Sequence, residues 1–487
     1  MDSRALLAAL VCSVAVALPA RAEDGRGSTD HLTLLLSDRM RGEFVDWFDP
    51  PPGVAPAGAE RYAFFANQLR AGARLAFPHV ALTLELQHTE LANLPEDASL
   101  PPPQGNLGTG ATYFANTRRS PQGELFLKQG NLTLQGGAFT ATLGRFDYRD
   151  GLETVPADPA LAYLKRSRIA ERLVGPFDFT HVTRSFDGGR VAWDHAAWNV
   201  TAWGARPTQG GYEVSANVEV GDVWLSGIAA TLARLGDWAP PVDARVFYLF
   251  YHDGRHDVLK ADNRPLAVRA ADREPISVHT GGMHALGRLA AGPGAIDVLL
   301  WGALQAGHWG EQDHAAWAYA VEAGYQLSDA PAAPWLRLGW NQSSGDEEPE
   351  DDKHRTFFQP IPTPRIYAQT PFYTLMNTSD FFVELVLRPH ERLFVRADWH
   401  WLRVTQGEDL WYQGGGVTKE SLFGYAGAPA NGRHGLGQLV DVSFTLTLHP
   451  RLTLGTYFGH VFGGAVIGES FAGTDANYGY AELTFRY

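Results

Sequence analysis

Charged side chains recur at every second position within several stretches that are otherwise apolar. The set consists of Arg39, Arg41, Glu43, Arg70, Arg74, Lys128, Arg190, Asp194, Arg396, Asp398 and His400. In an extended strand, this alternation places the charged groups on one face and the apolar groups on the other. Guanidinium and ammonium groups gathered on one face can bind carboxylate groups or attract anions along a pore. The same groups could instead pair with neighbouring acids and form a passive polar wall.

Asp398 and His400 also allow a catalytic interpretation, because a carboxylate that orients a histidine can activate a nucleophile. The serines of "NQSSG" (341–345) have no histidine in the context that a barrel hydrolase would need. We therefore interpret the pair as part of a charge network and expect no enzymatic activity. No cofactor or resident metal is expected at any of the candidate residues.

An acidic run, "GDEEPEDD" (345–352), could bind Ca²⁺ through its carboxylates. It lacks the glycine at the position where an EF-hand loop turns sharply. A solvated acidic loop is the interpretation that the residues favour.

The elements that must hold the candidate residues are β-strands. Polarity alternates in "HVALTLELQH" (79–88) and in "QLVDVSFTLTLH" (438–449), which is the period of a strand with one apolar face. Helical spacing of comparable length occurs only in 158–173. The sequence therefore predicts an all-β fold.

The connectors between these stretches alternate between short and long. Short ones are 78–79, 129–131, 195–197, 290–294, 388–391 and 449–451, and long ones are 48–60, 91–121, 148–183, 253–275, 344–379 and 405–436. Tight turns at one end and long loops at the other are typical of a transmembrane antiparallel β-barrel in the bacterial outer membrane. The pattern predicts about 18 strands, an even number, as this architecture requires. The least distinct region is 206–235.

The last residues, "YGYAELTFRY", alternate up to Tyr487. Unpaired backbone groups are costly in lipid, so we expect this strand to close the barrel against the first one. Residues 1–22 have a basic start, a short apolar run and the cleavage pattern Ala20-Arg21-Ala22, which predicts a signal peptide. The barrel would then occupy 23–487, and the only cysteine, Cys12, would be removed with the leader.

Composition excludes some classes of function. The net charge of −14 argues against nucleic-acid binding. The mean hydropathy is −0.19 and 12% of the residues are aromatic. These values are compatible with a transmembrane barrel, because polar and apolar residues alternate in its strands and give an average hydropathy similar to that of a soluble protein.

The most distinctive stretch is "SSGDEEPEDDKHRTFFQPIPTPRIYAQTPFYTLMN" (343–377), and it contributes Arg365 to the candidate pore residues. Together with "RADWHWLRV" (396–404), "DLWYQGGG" (409–416), "GRFDYRDG" (144–151) and "RSFDGGRVAWD" (184–194), it resembles the alginate export family of outer-membrane proteins. The resemblance implies a monomeric barrel with an arginine-rich, anion-selective lumen. It also implies a polyuronate as cargo and periplasmic proteins of a secretion complex as partners.

We therefore expect an outer-membrane channel that conducts an anionic polysaccharide outward by passive diffusion. A diffusion porin for small anions or sugars and a largely plugged barrel are the alternatives. Segment 148–183 carries Arg149, Lys165, Arg166, Arg168 and Arg172. It could fold into the lumen or stay on the surface, and the residues leave both possibilities open.

Overall fold

The computed structural model describes residues 31–232, 240–363 and 369–487, so the predicted signal peptide and Arg365 lie outside the described residues. Eighteen long strands close into one antiparallel barrel, which confirms the predicted fold class. They are β1 (Leu32–Asp46), β2 (Arg61–Ala76), β3 (Val80–Ala92), β4 (Gln122–Gly136), β5 (Phe139–Phe146), β6 (Phe186–Asp194), β7 (Trp198–Pro207), β8 (Val223–Leu232), β9 (Val242–Asp253), β10 (Ile276–Ala291), β11 (Gly294–Trp309), β12 (Gln312–Gln326), β13 (Trp335–Ser343), β15 (Thr378–His390), β16 (Leu393–Val404), β19 (Gly435–His449), β20 (Leu452–Gly463) and β21 (Asp475–Arg486).

Three short strands lie outside the barrel wall. These are β14 (Lys353–His354), which adds to β12, and the hairpin of β17 (Leu410–Gly414) and β18 (Tyr425–Pro429). The helical segments are α1 (Thr109–Thr117), α2 (Pro159–Leu164) with a π-helical turn (Lys165–Ile169), α3 (Leu266–Ala271) and α4 (Ala465–Gly468). Within the described residues, no helix has the length and apolar character needed to cross a membrane.

The barrel closes between its first and last strands. β21 pairs antiparallel with β1 from Ser37 with Arg486 to Asp46 with Asn477. This pairing provides hydrogen-bond partners for the backbone N–H and C=O groups of both strands. Such groups have no water molecules as partners in the lipid core. The closure expected from the alternating C-terminal residues is confirmed.

Side-chain alternation gives the barrel an apolar outer wall. Leu34, Leu82 and Leu304 are 58%, 52% and 71% exposed there. Because isolated apolar residues are common on soluble surfaces but a continuous band is not, this wall is suited to contact lipid. The alternate positions point inward and carry charged residues such as Arg41, Glu85 and Glu322.

Most short turns lie at the end of the barrel where β1 begins, and the long loops lie at the other end, where the two-residue turn Gly310-Glu311 also joins β11 to β12. We call these the short-turn end and the long-loop end. The turn predicted at 129–131 is wrong, because β4 continues to Gly136 and the chain turns at Gly137, whose φ is 60°. Residues near 129 instead form a bulge, where the pairing of β3 with β4 shifts between Glu85 and Leu86.

Candidate conduction site in the lumen

Residues 147–185, between β5 and β6, fold into the barrel, and we call them the lumen segment. Most of its apolar side chains are buried, and Leu161, Leu164, Leu173 and Phe177 are fully buried. Helix α2 begins where the Asp158 carboxylate accepts bonds from the amides of Ala160 and Leu161. The sequence left open whether residues 148–183 fold into the lumen or stay on the surface. In the structure they fold into the lumen.

The lumen segment first descends to the short-turn end of the barrel. There Asp158 pairs with Arg288 of β10 at 3.2 Å. The ring of Tyr163 packs 5.5 Å from Trp335 of β13 and 5.7 Å from Phe394 of β16. The descending half therefore fills the side of the lumen formed by β10 to β16.

Cations of the returning half bind acids on the barrel wall. Lys165 lies 2.8 Å from Asp243 of β9, and Arg168 lies 2.9 Å from Glu322 of β12. Arg172 contacts the same Glu322 at 3.3 Å. All of these groups are fully buried, so the pairs fix the segment rather than attract solutes from water.

The segment then crosses to the wall of β1, β2 and β3. Wall side chains donate to its backbone carbonyls: Gln68 to His181 at 2.7 Å, Arg41 to Phe179 at 3.1 Å, and Arg39 to Asp178 at 2.8 Å. Burying a backbone carbonyl without a hydrogen-bond donor costs free energy. These bonds therefore fix the place at which the segment crosses the lumen. The crossing narrows the lumen on the side of β1 to β3.

The predicted pore residues fall into two groups by exposure. One group is buried under the infolded chain: Arg41, Glu43, Lys128, Arg396, Asp398 and His400. For example, Lys128 lies 2.5 Å from Asp147 of the lumen segment, and Arg396 lies 2.6 Å from Asp398. These side chains point inward, but the lumen segment and its neighbours cover them.

The other group retains contact with the lumen water. Arg74 is exposed, Arg70 and Arg190 are half-buried, and Asp194 is exposed near the short-turn end. Within the part of the chain that the structure describes, no carboxylate lies within 4.0 Å of the guanidinium groups of Arg70, Arg74 or Arg190. Arg70 donates instead to the Gln87 side chain at 2.8 Å. Arg39 differs, because it lies 3.6 Å from Glu482.

The lumen segment adds charges next to these arginines. Arg149 contacts Asp178 at 2.8 Å and pairs with Glu171, and these acids raise its pKa above the ordinary value although burial opposes the rise. Burial would raise the pKa of Asp147, but Lys128 and Arg70 lower it below the ordinary value. Burial, with Arg39 nearby, lowers the pKa of His181 well below its usual value, so His181 adds no charge.

Several functional residues were missed in the sequence, although the alternation rule could have found them. Asp243, Glu322, Arg337 and Glu384 occupy inward positions of β9, β12, β13 and β15. Each is fully buried and ion-paired or next to an ion pair. Their partners lie far away in sequence, so spacing alone did not indicate the pairs.

Long loops enclose a cavity of about 540 Å³ at the long-loop end, and we call it the vestibule. Its lining includes Trp47, Thr109, Lys260, Tyr373 and Gly415. These residues come from five different loops. The vestibule therefore depends on how the loops are joined to one another.

Asp409 joins two of these loops. Its carboxylate accepts bonds from the Asp346 amide at 2.9 Å, the Thr356 hydroxyl at 2.5 Å, the Leu410 amide at 2.7 Å and the Tyr412 hydroxyl at 2.8 Å. Burial raises the pKa of Asp409 to about 7, and the donors oppose that rise. Asp346 is itself buried, whereas Glu347, Glu348 and Glu350 of the acidic run are exposed.

Replacing Asp409 with alanine is expected to loosen this junction. The substitution leaves buried donors unsatisfied, at about 1–3 kcal/mol for each group. Hydrogen exchange of residues 405–412 should accelerate on the order of 10- to 100-fold. Glu408→Ala is the matched control, because Glu408 is the adjacent acid and is exposed. Equal exchange in the two variants would show that Asp409 does not hold the loops.

Comparisons with known proteins agree with this architecture. Residues 107–480 match the family described as "Alginate export". No curated protein sequence matches the chain.

Solved structures give the same fold at low sequence identity. A BenF-like porin from Pseudomonas fluorescens Pf-5 is 8% identical, with a TM-score of 0.59, and the match covers 95% of this chain and 100% of the porin. OccAB2 of Acinetobacter baumannii is 9% identical, with a TM-score of 0.57 and coverage of 95% and 99%. OccK2 (OpdF) of Pseudomonas aeruginosa, solved in complex with glucuronate, is 9% identical, with a TM-score of 0.54 and coverage of 95% and 99%.

Proposed function

Because the chain belongs to the alginate export family and is an outer-membrane β-barrel channel protein, we propose that it conducts an anionic polysaccharide of the polyuronate class outward by passive diffusion. The observation that carries this proposal is the group of three lumen arginines without a carboxylate partner, Arg70, Arg74 and Arg190. An unpaired guanidinium group in a narrow lumen attracts anions, since the low-dielectric wall focuses its field. We further propose that the barrel acts as a monomer and has no enzymatic activity.

The proposed mechanism is an exchange of counterions along the polymer. Each uronate carboxylate exchanges its counterion from solution for an arginine side chain. The guanidinium group can bind the carboxylate with two hydrogen bonds. At the crossing of the lumen segment, Asp178 pairs with Arg149 and Glu482 pairs with Arg39, and these acids lower the net positive charge that the polymer meets there. Movement follows the polymer gradient and needs no energy source in the barrel.

A diffusion porin for small acidic sugars is the second candidate. It is favoured by the fold shared with OccK2, whose structure was solved in complex with glucuronate, a small acidic sugar. Both candidates require anion selectivity and use the same arginines. They differ in whether affinity for the channel increases with the length of the glycan.

We expect the purified protein in planar bilayers to be anion-selective and to be blocked by oligouronates. Block time should increase with the number of uronate units if the cargo is a polymer, because each added carboxylate meets another site. Arg70→Ala with Arg190→Ala should weaken block on the order of tenfold, the effect of about 1.4 kcal/mol. The measurement is the reversal potential in a salt gradient, followed by block kinetics with mono-, di- and longer uronates.

Arg206→Ala is the matched control, because Arg206 is exposed on the outer side of β7 and lies 3.8 Å from Glu219. Anion selectivity with block that does not depend on glycan length would favour the small-solute porin. Cation selectivity would contradict both candidates.

A further inference from the structure

Three inward side chains on β16 and β19 form a buried cluster on the lumen wall: Asp398, His400 and Asp441. Asp398 and Asp441 are direct partners in the strand register, and His400 is the next inward residue on β16. One N or O atom from each of the three lies within 4.8 Å of one atom from each of the others. All three residues are at most 5% exposed.

Two atoms of this cluster have no partner for hydrogen bonding. They are Oδ1 of Asp398 and Nε2 of His400, and none of the three residues has further contacts to the undescribed part of the chain. A buried polar atom without a partner costs free energy. The cluster thus leaves one oxygen and one nitrogen available to a ligand in its centre.

The orientation of His400 selects the kind of ligand. Its Nδ1 lies 2.9 Å from the carboxylate of Asp380 on β15, so a neutral ring that donates from Nδ1 carries its lone pair on Nε2. A carboxylate that fixes the far side of an imidazole ring is the usual support of a metal-binding histidine. Oδ2 of Asp398 is held by Arg396 at 2.6 Å, and Oδ2 of Asp441 accepts from Tyr457 at 2.9 Å. The ligand atoms are therefore held rigidly.

The charge balance of the surrounding network agrees with a divalent cation. Among the described residues, the acids of this network outnumber its guanidinium groups by two. The acids are Asp297, Glu322, Asp380, Glu384, Asp398 and Asp441, and the cations are Arg168, Arg172, Arg337 and Arg396. A divalent cation at the cluster would offset this excess of acidic groups.

We propose that Asp398, His400 and Asp441 bind one divalent transition-metal ion of the Zn²⁺ or Mn²⁺ type, with Asp380 orienting His400. One imidazole nitrogen with carboxylate oxygens suits these ions, whereas Ca²⁺ takes six to eight oxygen ligands. The ion joins β16 to β19 behind the lumen segment. This site departs from the sequence-based expectation of no resident metal, and it does not depend on the proposed cargo.

The test uses full-length protein in detergent, without a histidine tag and after removal of metals with a chelator. Titration with Zn²⁺ and with Mn²⁺ should reveal one saturable site for each chain. His400→Gln and Asp441→Asn should weaken binding more than about 100-fold, and Asp380→Asn by about 10- to 100-fold, as expected for an orienting residue. His284→Gln should leave it unchanged, since His284 is also buried and lies 2.7 Å from a carboxylate, that of Asp243.

Anomalous scattering from Zn²⁺-soaked crystals of the unmodified protein tests the site without variants, so a variant that folds poorly does not affect this result. A peak between the three side chains supports the site. The proposal is overturned if the unmodified protein has no saturable site, or if His400→Gln and Asp441→Asn bind the metal as tightly as His284→Gln.

Discussion

Replacing most of the lumen segment, residues 149–183, with a short Gly-Ser linker is expected to raise the single-channel conductance on the order of tenfold. A barrel with this number of strands leaves an aqueous channel when nothing fills it. The segment occupies that space from Asp158 at the short-turn end to its crossing near His181. The strand ends that the linker must join, Phe146 and Phe186, are register partners, so a short connection can span them.

The same variant should lose much of its ion selectivity, because a wider water-filled lumen screens the fields of Arg70 and Arg190. Removal of residues 51–57 is the control, since this loop stretch is mostly exposed at the long-loop end and does not enter the lumen. Bilayer recordings of the two deletions test the prediction. If the two conductances are equal, the lumen segment does not set the resistance of the channel.

The fold was accessible from the sequence because each strand carries its own signal. Alternation in β1 separates Leu32, Leu34 and Leu36 from Arg39 and Arg41, and the structure places these two sets on opposite faces. The same rule separates Val395 from Arg396 in β16. The barrel wall can be predicted from this two-residue period, the turn residues between strands and the requirement that the first and last strands pair.

The wrong turn at 129–131 has a local cause. Polar and glycine residues in "KQGN" resemble a turn, but here they mark a bulge at which Lys128 is added to the strand. The bulge turns Lys128 inward toward Asp147 of the lumen segment. A turn and a bulge share the same residue types, so only the partner strand distinguishes them.

The position of the lumen segment was not accessible, because it depends on pairs between residues far apart in sequence. Lys165 and Arg168 are satisfied by Asp243 and Glu322, and neither acid belongs to a motif. Before these pairs are known, a cationic segment is equally compatible with the surface and with the lumen. The sequence predicted all of the charged candidate residues to line the pore. Only the three-dimensional structure distinguishes those that form structural ion pairs from the unpaired arginines of the lumen.

The second large effect is expected at Glu322, the acid on which three arginines converge. Arg168 contacts it at 2.9 Å, Arg337 at 3.0 Å and Arg172 at 3.3 Å, and all four side chains are fully buried. Glu322→Ala leaves Arg168 without its closest carboxylate in the barrel interior. Breaking a buried pair in this way costs about 3–5 kcal/mol. Because 17 other strands still hold the wall, the loss should fall on the lumen segment, which detaches locally.

Local detachment has two observable consequences. Hydrogen exchange of residues 160–175 should accelerate by at least about 100-fold, since each 1.4 kcal/mol corresponds to a factor of ten. The bilayer current should fluctuate between the parent level and higher levels as the segment leaves and re-enters the lumen. Glu85→Ala is the matched control, because Glu85 is also a buried inward acid, yet it accepts a hydrogen bond at 3.0 Å from Gln129 of the neighbouring wall strand. A Glu322→Ala channel as quiet and as protected as the Glu85→Ala channel would mean that apolar packing of Leu161, Leu164 and Leu173, not the ion pairs, holds the segment in place.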